Sequence, residues 1–575
     1  MNKRILIILL ITVFLQQLQA QVDTIRLSIA SQSSEVERDE RSVPLSLEIK
    51  EDGIGTANIP KNIVAVNGHL AGLPVLLTNK CDREKTINLT AVGENIESFK
   101  AYCRTVSSGG SRLCTLNFRS FNVYDFVLTI AASSGPLSAF ANINCTAWVA
   151  YPVFGTIEHF SRQPPGREVA ERDMEVLKDL PCQVFRVDGP GTWAIQGDSD
   201  RYRWDEADWQ VHRIKKLGAK IVMLCGYVPG WIKFDPHEYT RKELNSFLAQ
   251  YEKYLTELVG RYAGEVDYWE IWNEPELFWF DNRIGSKETE VLFRVIEISN
   301  SVIRKKDPTA VILTPGFTPD VINCSGPGFV LFDSLQRRGM FDLVDAVCLH
   351  NYPGAYPPTR DSVSGFKGFL DWLKDFEGRA DLVKIKNYLN QKKIAQPIWF
   401  TECGLPYNGG RDREAALAFA RMLAINSFDG VQGFIQYETF DYTHDAHPPD
   451  FALVRSANGQ KSSIFVCYQA LIRALSGAVS APGAVEYPEN QGQEIINYRA
   501  FTRNGELILI FWNDSLNPKE VQISFRNGFK KASLISLSAQ RKRKFIEQKE
   551  YDEALGELPC IRLDSGDCGV MTFVY

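Results

Sequence analysis

Two apolar runs in the middle of the chain finish in a carboxylate. One is WEIWNEPE, Trp269–Glu276, where Asn273 and Glu274 close the run and Pro275 stops it. The other is IWFTECG, Ile398–Gly404, which ends at Glu402. An acid at the end of a buried strand is costly unless it is paired or used. Two such acids facing each other supply what cleavage of a glycosidic bond requires. One must be protonated to push out the leaving oxygen, and the other must be ionised to meet an oxocarbenium-like centre. Different surroundings can separate their pKa values, since burial disfavours charge and nearby donors favour it. A gap of about 5–5.5 Å between the carboxyl groups implies retention through a covalent intermediate. Spacing along the sequence does not give that gap.

Strands must carry these acids to a common point. Eight short apolar runs alternate with helical stretches, near Val153–Gly155, Val184–Asp188, Ile221–Gly226, Val266–Glu274, Ala310–Gly316, Val344–Tyr352, Pro397–Glu402 and Gly433–Tyr437. RKELNSFLAQYEKYLTELVGRYAG and ETEVLFRVIEISNSVIRKKD are among the helical stretches between them. Eight such units over residues 149–478 predict a (β/α)8 TIM barrel, whose function sits where strands end and βα loops begin. The alternative, an open doubly wound sheet, lacks a GxGxxG or GxxxxGK turn to hold a nucleotide. The acids close the fourth and seventh runs, so they converge across the barrel mouth. Strict alternation places Asn273 and Glu274 on opposite faces, so a bulge or turn is expected there, with Pro275 assisting. Glu270 shares the parity of Glu274 and reads as an inward layer residue. Trp231, Trp279 and Phe280 follow the third and fourth runs and are candidates to stack on sugar rings. Glu438, just past the eighth run, is a candidate to bind a sugar hydroxyl.

WNEP, Trp272–Pro275, resembles the acid/base motif of the clan A retaining glycoside hydrolases, and TEC, Thr401–Cys403, resembles that clan's nucleophile strand end. The resemblance spans about residues 150–478, and WEIWNEPE is most similar to glycoside hydrolase family 39 and its relatives. It implies Glu274 as general acid/base, Glu402 as nucleophile and Asn273 as holder of the hydroxyl beside the reacting carbon. Arg186, in VFRVDG, resembles the Arg that braces the nucleophile. His350 and Tyr352, in LHNYPG, resemble residues that orient the nucleophile or line the sugar site. At the end of the eighth run many clan members have Trp, where this chain has Tyr437 followed by Glu438. The segment from Phe451 to Leu471 resembles the clan's closing strand and final helix. The resemblance further implies double displacement at an equatorial (β-type) or equivalent α-L bond, with a carbohydrate substrate and neither metal nor organic cofactor. The other readings are a carbohydrate-binding protein on an inactive barrel, and a transglycosidase using the same acids.

The rest of the sequence frames this barrel. Across 575 residues, 45% are hydrophobic and 23% charged, with a net charge of −6. That composition excludes a disordered chain and a polytopic membrane protein, and the charge offers nothing for nucleic acid. Lys3 and Arg4 before the apolar run Ile5–Leu15, with Ala20 at a cut, read as a cleavable secretory signal over residues 1–20. Residues 21–148 carry strand-like runs (TIRLSIA, VPLSLEI, FVLTIAA, INCTAWVAY) split by turn-forming clusters, and predict a β-sandwich. Residues 479–575 repeat the style with LILIFWND, VQISF, ASLISL and GVMTFVY, a smaller all-β domain. The twelve cysteines show no CxxC spacing, and HExxH is absent, so no metal site is expected. Cys225, Cys348 and Cys403 read as small buried hydrophobes, and the His444–His447 fragment as loop.

Overall fold

A computed structural model of the chain describes residues 24–29, 45–50, 53–58, 63–66, 70–92, 96–98, 102–120, 126–134, 137–148, 152–158, 175–187, 191–198, 201–353, 363–380, 382–407, 411–440, 451–455, 459–481, 484–486, 496–503, 506–525, 529–538, 543–554 and 561–574. Residues 1–20 and the His444–His447 fragment lie outside them. All eight apolar runs of the middle region form strands: β1 Val153–Glu158, β2 Val184–Val187, β3 Lys220–Cys225, β4 Tyr268–Ile271, β5 Val311–Leu313, β6 Val347–Asn351, β7 Ile398–Cys403 and β8 Gly433–Gln436. They lie side by side in one parallel sheet, from β5 back to β1 and on through β8 and β7 to β6. Parallel bridges Leu313–Ala346 and Phe317–Leu349 join its two edges, so the (β/α)8 barrel closes. Its floor is filled by Ile157, Val184, Val222, Tyr268, Leu313, Cys348, Trp399 and Ile435, one inward side chain from each strand. Cys225, Cys348 and Cys403 are buried thiols on β3, β6 and β7.

Helix α1, Arg241–Tyr262, begins at Thr240, whose side chain and that of Glu243 cap each other's backbone N–H groups. Its buried residues Leu244, Phe247, Leu248, Tyr251, Leu255, Leu258 and Val259 recur at three and four, which turns one face to the barrel. Helix α2, Ser286–Lys306, covers the next strand in the same way. Helix α3, Asp412–Phe428, is different: every residue from Glu414 to Ser427 is buried. A helix apolar on all sides needs cover on all sides, and the C-terminal sheet provides it. In that sheet Glu506–Trp512 sends Leu507, Leu509 and Phe511 into its own sandwich core, and Ile508, Ile510 and Trp512 into the barrel's outer core. Helix α4, Ser463–Leu475, closes the barrel, and its Tyr468 hydroxyl donates to the Gly155 carbonyl of β1 at 2.7 Å.

The N-terminal region forms two five-stranded sheets, the expected β-sandwich. One strand departs from that grouping. Thr24–Ile29 pairs in parallel with Lys519–Phe525 and, at its end, antiparallel with Val485–Glu486. It thus completes the second sheet of the C-terminal region, four strands that include Ile561–Leu563. A six-residue strand says which of its faces is apolar but not which distant open edge it covers. Among the described residues, no helix is long and apolar enough to cross a membrane.

Candidate active site

Arg186 stands at the centre. VFRV of β2 is buried throughout, and parity with Val184 turns the guanidinium into the barrel, where it is 1% exposed. A buried cation needs acceptors around it. Arg186 Nε donates to Glu270, Nη1 to Glu402 Oε1 at 2.8 Å and Nη2 to Asn273 Oδ1 at 2.6 Å. Burial works against its charge, but Glu270 and Glu402 outweigh it and the group stays firmly protonated.

Strand β4 sends Tyr268 and Glu270 inward and Trp269 and Ile271 outward to the helices. It ends at Ile271 rather than Glu274, because Trp272 (φ 73°) and Glu274 (φ 40°) take left-handed backbone. That is the turn the adjacent Asn–Glu pair needs. Asn273 then reaches Arg186 while Glu274 reaches His350. Such conformations cost about 1–3 kcal/mol each and persist where the surroundings enforce them. Here the Trp272 N–H donates to Cys225 O at 2.7 Å, Glu274 N–H to Gly316 O at 2.7 Å and Gly316 N–H to Trp272 O at 3.2 Å.

Strand β7 solves the same problem with a bulge. Against β6, Phe400 pairs with Leu349 and Glu402 with His350, which leaves Thr401 as the extra residue. Both neighbours can therefore face inward: Thr401 Oγ1 donates to Glu270 Oε1 at 2.7 Å, and Glu402 meets Arg186. The second oxygen of Glu402 accepts from the Tyr352 hydroxyl at 2.6 Å. Burial, then the Glu402 charge, pushes the Tyr352 phenol well up, so it stays a donor.

His350, fully buried on β6, has Nδ1 2.7 Å from Glu274 Oε1 and 3.5 Å from Glu402 Oε2. Burial opposes a charged imidazole, yet Glu402 and Glu274 overcome it and its pKa is raised. Glu274 and Glu402 are 9% and 8% exposed, and a carboxylate oxygen of each lies within 4.8 Å of the other. The same three side chains are a formal donor set for a cation. Their 2.7 Å contact is a hydrogen bond, however, whereas two ligands each about 2.0–2.2 Å from one metal would stand roughly 3 Å or more apart.

Solved structures with this architecture include a family 39 glycoside hydrolase from the gut symbiont Bacteroides cellulosilyticus WH2, 16% identical, covering 90% of this chain and 100% of that one at a TM-score of 0.51. A glucosidase from Croceicoccus marinus is 13% identical over 74% of this chain and 97% of its own, with a TM-score of 0.51. A conserved exported protein from Bacteroides fragilis is 12% identical over 74% and 97%, also at 0.51. The fold is one that glycoside hydrolases use. It is also the fold that the WNEP and TEC motifs imply. No family model and no curated protein matches the sequence.

Of the residues singled out in the sequence, Arg186, Asn273, Glu274, His350, Tyr352 and Glu402 meet in this one network. Tyr437 borders it: its ring lies 6.2 Å edge-on from Tyr352 and 5.7 Å from Phe451. Glu438 is half-buried beside it, and its carbonyl accepts from Leu453 N–H at 2.9 Å. Trp231 is tied elsewhere, its indole donating to Gln196 O at 3.0 Å. Trp279 stacks on Trp272 at 4.0 Å, and Phe280 is wholly buried, so these two rings serve packing. Sequence reasoning missed Thr401, Gly316, Tyr227 and Phe451. Tyr227, at the end of β3 with φ 61°, acts electrostatically on Arg186. A Cβ on Gly316 would run into His350 Nε2 and lie 2.6 Å from Glu270 Oε1. A tyrosine just past the third run was the one available signal for Tyr227; Phe451 comes from a distant loop and had none.

Proposed function

We propose that the chain is an exported retaining glycoside hydrolase that cleaves O-glycosidic bonds of a polysaccharide or oligosaccharide by double displacement. The observation that carries the reading is the unequal dress of the two acids. Glu402 accepts from a guanidinium and a phenol, donors that serve an ionised nucleophile, while Glu274 contacts the imidazole of His350. A carboxylate oxygen of each lies within 4.8 Å of the other, in keeping with the short separation of retaining enzymes. Glu402 attacks the anomeric carbon as Glu274 protonates the leaving oxygen. Glu274 then takes a proton from water, which displaces Glu402. Asn273, fixed by Arg186, is placed to bind the neighbouring hydroxyl, and Tyr437 and Phe451 to wall the sugar. Tyr352 holds Glu402 in line. Glu438 and Trp231 remain candidates for outer sugar contacts. Export rests on the Lys3–Ala20 pattern and is in keeping with the exported Bacteroides fragilis neighbour.

A panel of aryl β- and α-L-glycosides and polysaccharides tests this, with wild type, Glu402→Ala and Glu274→Ala side by side. Release by the wild type and a loss of several orders of magnitude in each variant is expected. With a 2,4-dinitrophenyl leaving group, which departs without a proton, Glu274→Ala keeps its first step and stalls at the second. Full activity in either variant, or silence of the folded wild type across the panel, overturns the reading, and silence with retained glycan binding moves the chain to the carbohydrate-binding class.

A further inference from the structure

Glu270 is fully buried and the double displacement makes no use of it. Its surroundings on every side are defined. From β2, Arg186 Nε donates to its Oε2. From β7, Thr401 Oγ1 donates to its Oε1 at 2.7 Å. Towards the barrel mouth, Gly316 lacks a Cβ, and that missing atom's place is flanked by both Glu270 Oε1 and His350 Nε2. His350 Nε2 is buried without a hydrogen-bond partner, so this ring edge faces Glu270 across the bare Gly316 backbone. The Cys225 and Cys348 thiols of β3 and β6 also feel the Glu270 charge, and burial keeps both protonated. Tyr227 faces Arg186, Tyr352 and Cys403 face Glu402, Tyr437 faces Tyr352, and the buried Glu276 faces Glu274 from beyond the enclosure; burial pushes Tyr352, Cys403 and Glu276 up.

The charges can be counted for an enclosure in which His350 is protonated and the mechanism's acid proton sits on Glu274. The cations are Arg186 and His350; the acids are Glu270, Glu274 and Glu402. With one acid proton, resting on Glu274, the total is zero. When Glu402 forms a bond to the anomeric carbon, the glycosidic C–O bond breaks and the leaving oxygen takes the Glu274 proton. Glu402 is then a neutral ester, Glu274 is charged, and the total is again zero. Water then returns a proton to Glu274 as its oxygen displaces Glu402, and the first state is restored. Without Glu270 every state would hold one unmatched positive charge, which a low-dielectric site penalises.

We propose that Glu270 is a positioning residue whose carboxylate is the counter-charge to Arg186 and His350, so that the enclosed site holds the same net charge before and after the covalent step. This rests on the hydrolase reading for its catalytic consequence but not for its electrostatic one. In Glu270→Gln the extra positive charge favours deprotonation throughout the site, so titrations there move to lower pH.

The first measurement needs no substrate: NMR titration of the imidazoles in the full chain, with the His350 signal among seven histidines assigned by its loss in His350→Asn. In the wild type the His350 midpoint is expected above the ordinary value of about 6.5. In Glu270→Gln it falls by about one pH unit or more, for charges a few ångströms apart at an effective dielectric near 20. Glu270→Asp, which keeps the charge and strains the Thr401 contact, should leave it near the wild-type value. An unmoved midpoint in folded Glu270→Gln overturns the proposal. So does a wild-type midpoint below the ordinary value, which removes one of the two cations and decides the matter even where the variant does not fold. On an aryl glycoside that the wild type cleaves, both limbs of the kcat/KM profile shift acid in Glu270→Gln with a loss of about 10- to 100-fold. Unshifted limbs with a uniform loss mark a merely structural role and overturn the proposal. A wild type silent on every glycoside defeats the hydrolase reading and leaves the imidazole titration to judge Glu270 alone.

Discussion

At the residue scale, the site is held by atoms that are absent as much as by those present. Gly316, just past β5, lets His350 and Glu270 lie over its backbone, with no side chain between them. Gly316→Ala should displace both. We expect kcat/KM to fall about 100-fold through misplacement and stability to drop by about 1–3 kcal/mol through overpacking, read by steady-state kinetics and denaturant unfolding. His350 makes a second, pH-dependent prediction. Burial lowers its pKa, but Glu402 and Glu274 raise it further than burial lowers it. A raised folded value means stability that is complete below the unfolded value of about 6.5 and is lost as pH climbs through the folded one. The melting-temperature gap between wild type and His350→Asn should therefore be widest on the acid side and narrow in alkali. A gap that widens with pH would reverse the sign and refute the cationic imidazole.

At the element scale, strand ends and their irregularities decide which side chains meet. That β4 and β7 end in acids was legible, because an apolar run closing in Glu is conspicuous. The need for a break in alternation at Asn273–Glu274 was legible too, from parity alone. The bulge at Thr401 was not: TEC reads as three ordinary strand residues, and only the pairing of β7 with β6 reveals the extra one. Tyr227 and Phe451 come to the site through loop geometry that no periodicity encodes. Helix α3 supplies a further test. Its Arg421, fully buried, bridges Glu377 Oε1 at 2.8 Å and Asp514 Oδ1 at 2.5 Å, and lies against the Trp512 ring. The bridge links the barrel to the C-terminal sheet. Removing one partner of a buried ion group strands the others, at about 3–5 kcal/mol. Arg421→Met should lose about that much in chemical denaturation, and adding Glu377→Gln with Asp514→Asn should recover most of it. Triple and single variants of equal stability would show that the bridge is inert.

At the scale of the whole molecule, the barrel and its (β/α)8 order were readable from eight repeats, and both flanks from their alternating runs. The partner of Thr24–Ile29 was not readable, since its choice depends on an edge almost five hundred residues away in sequence. Deleting residues 1–30 should leave the barrel intact and open the Lys519–Phe525 edge. Amide exchange at Lys519–Phe525 is expected to quicken at least tenfold while that of β4 and β7 stays unchanged; equal protection in the truncated chain would refute the pairing. The same strand sets a clock on the newborn chain. It leaves the ribosome almost five hundred residues before the strand that receives it. At about 5–20 residues per second, TIRLSI waits roughly half a minute to two minutes with its hydrogen-bonding edge unmet. An unpaired strand edge held open for that long is a template for pairing with other chains.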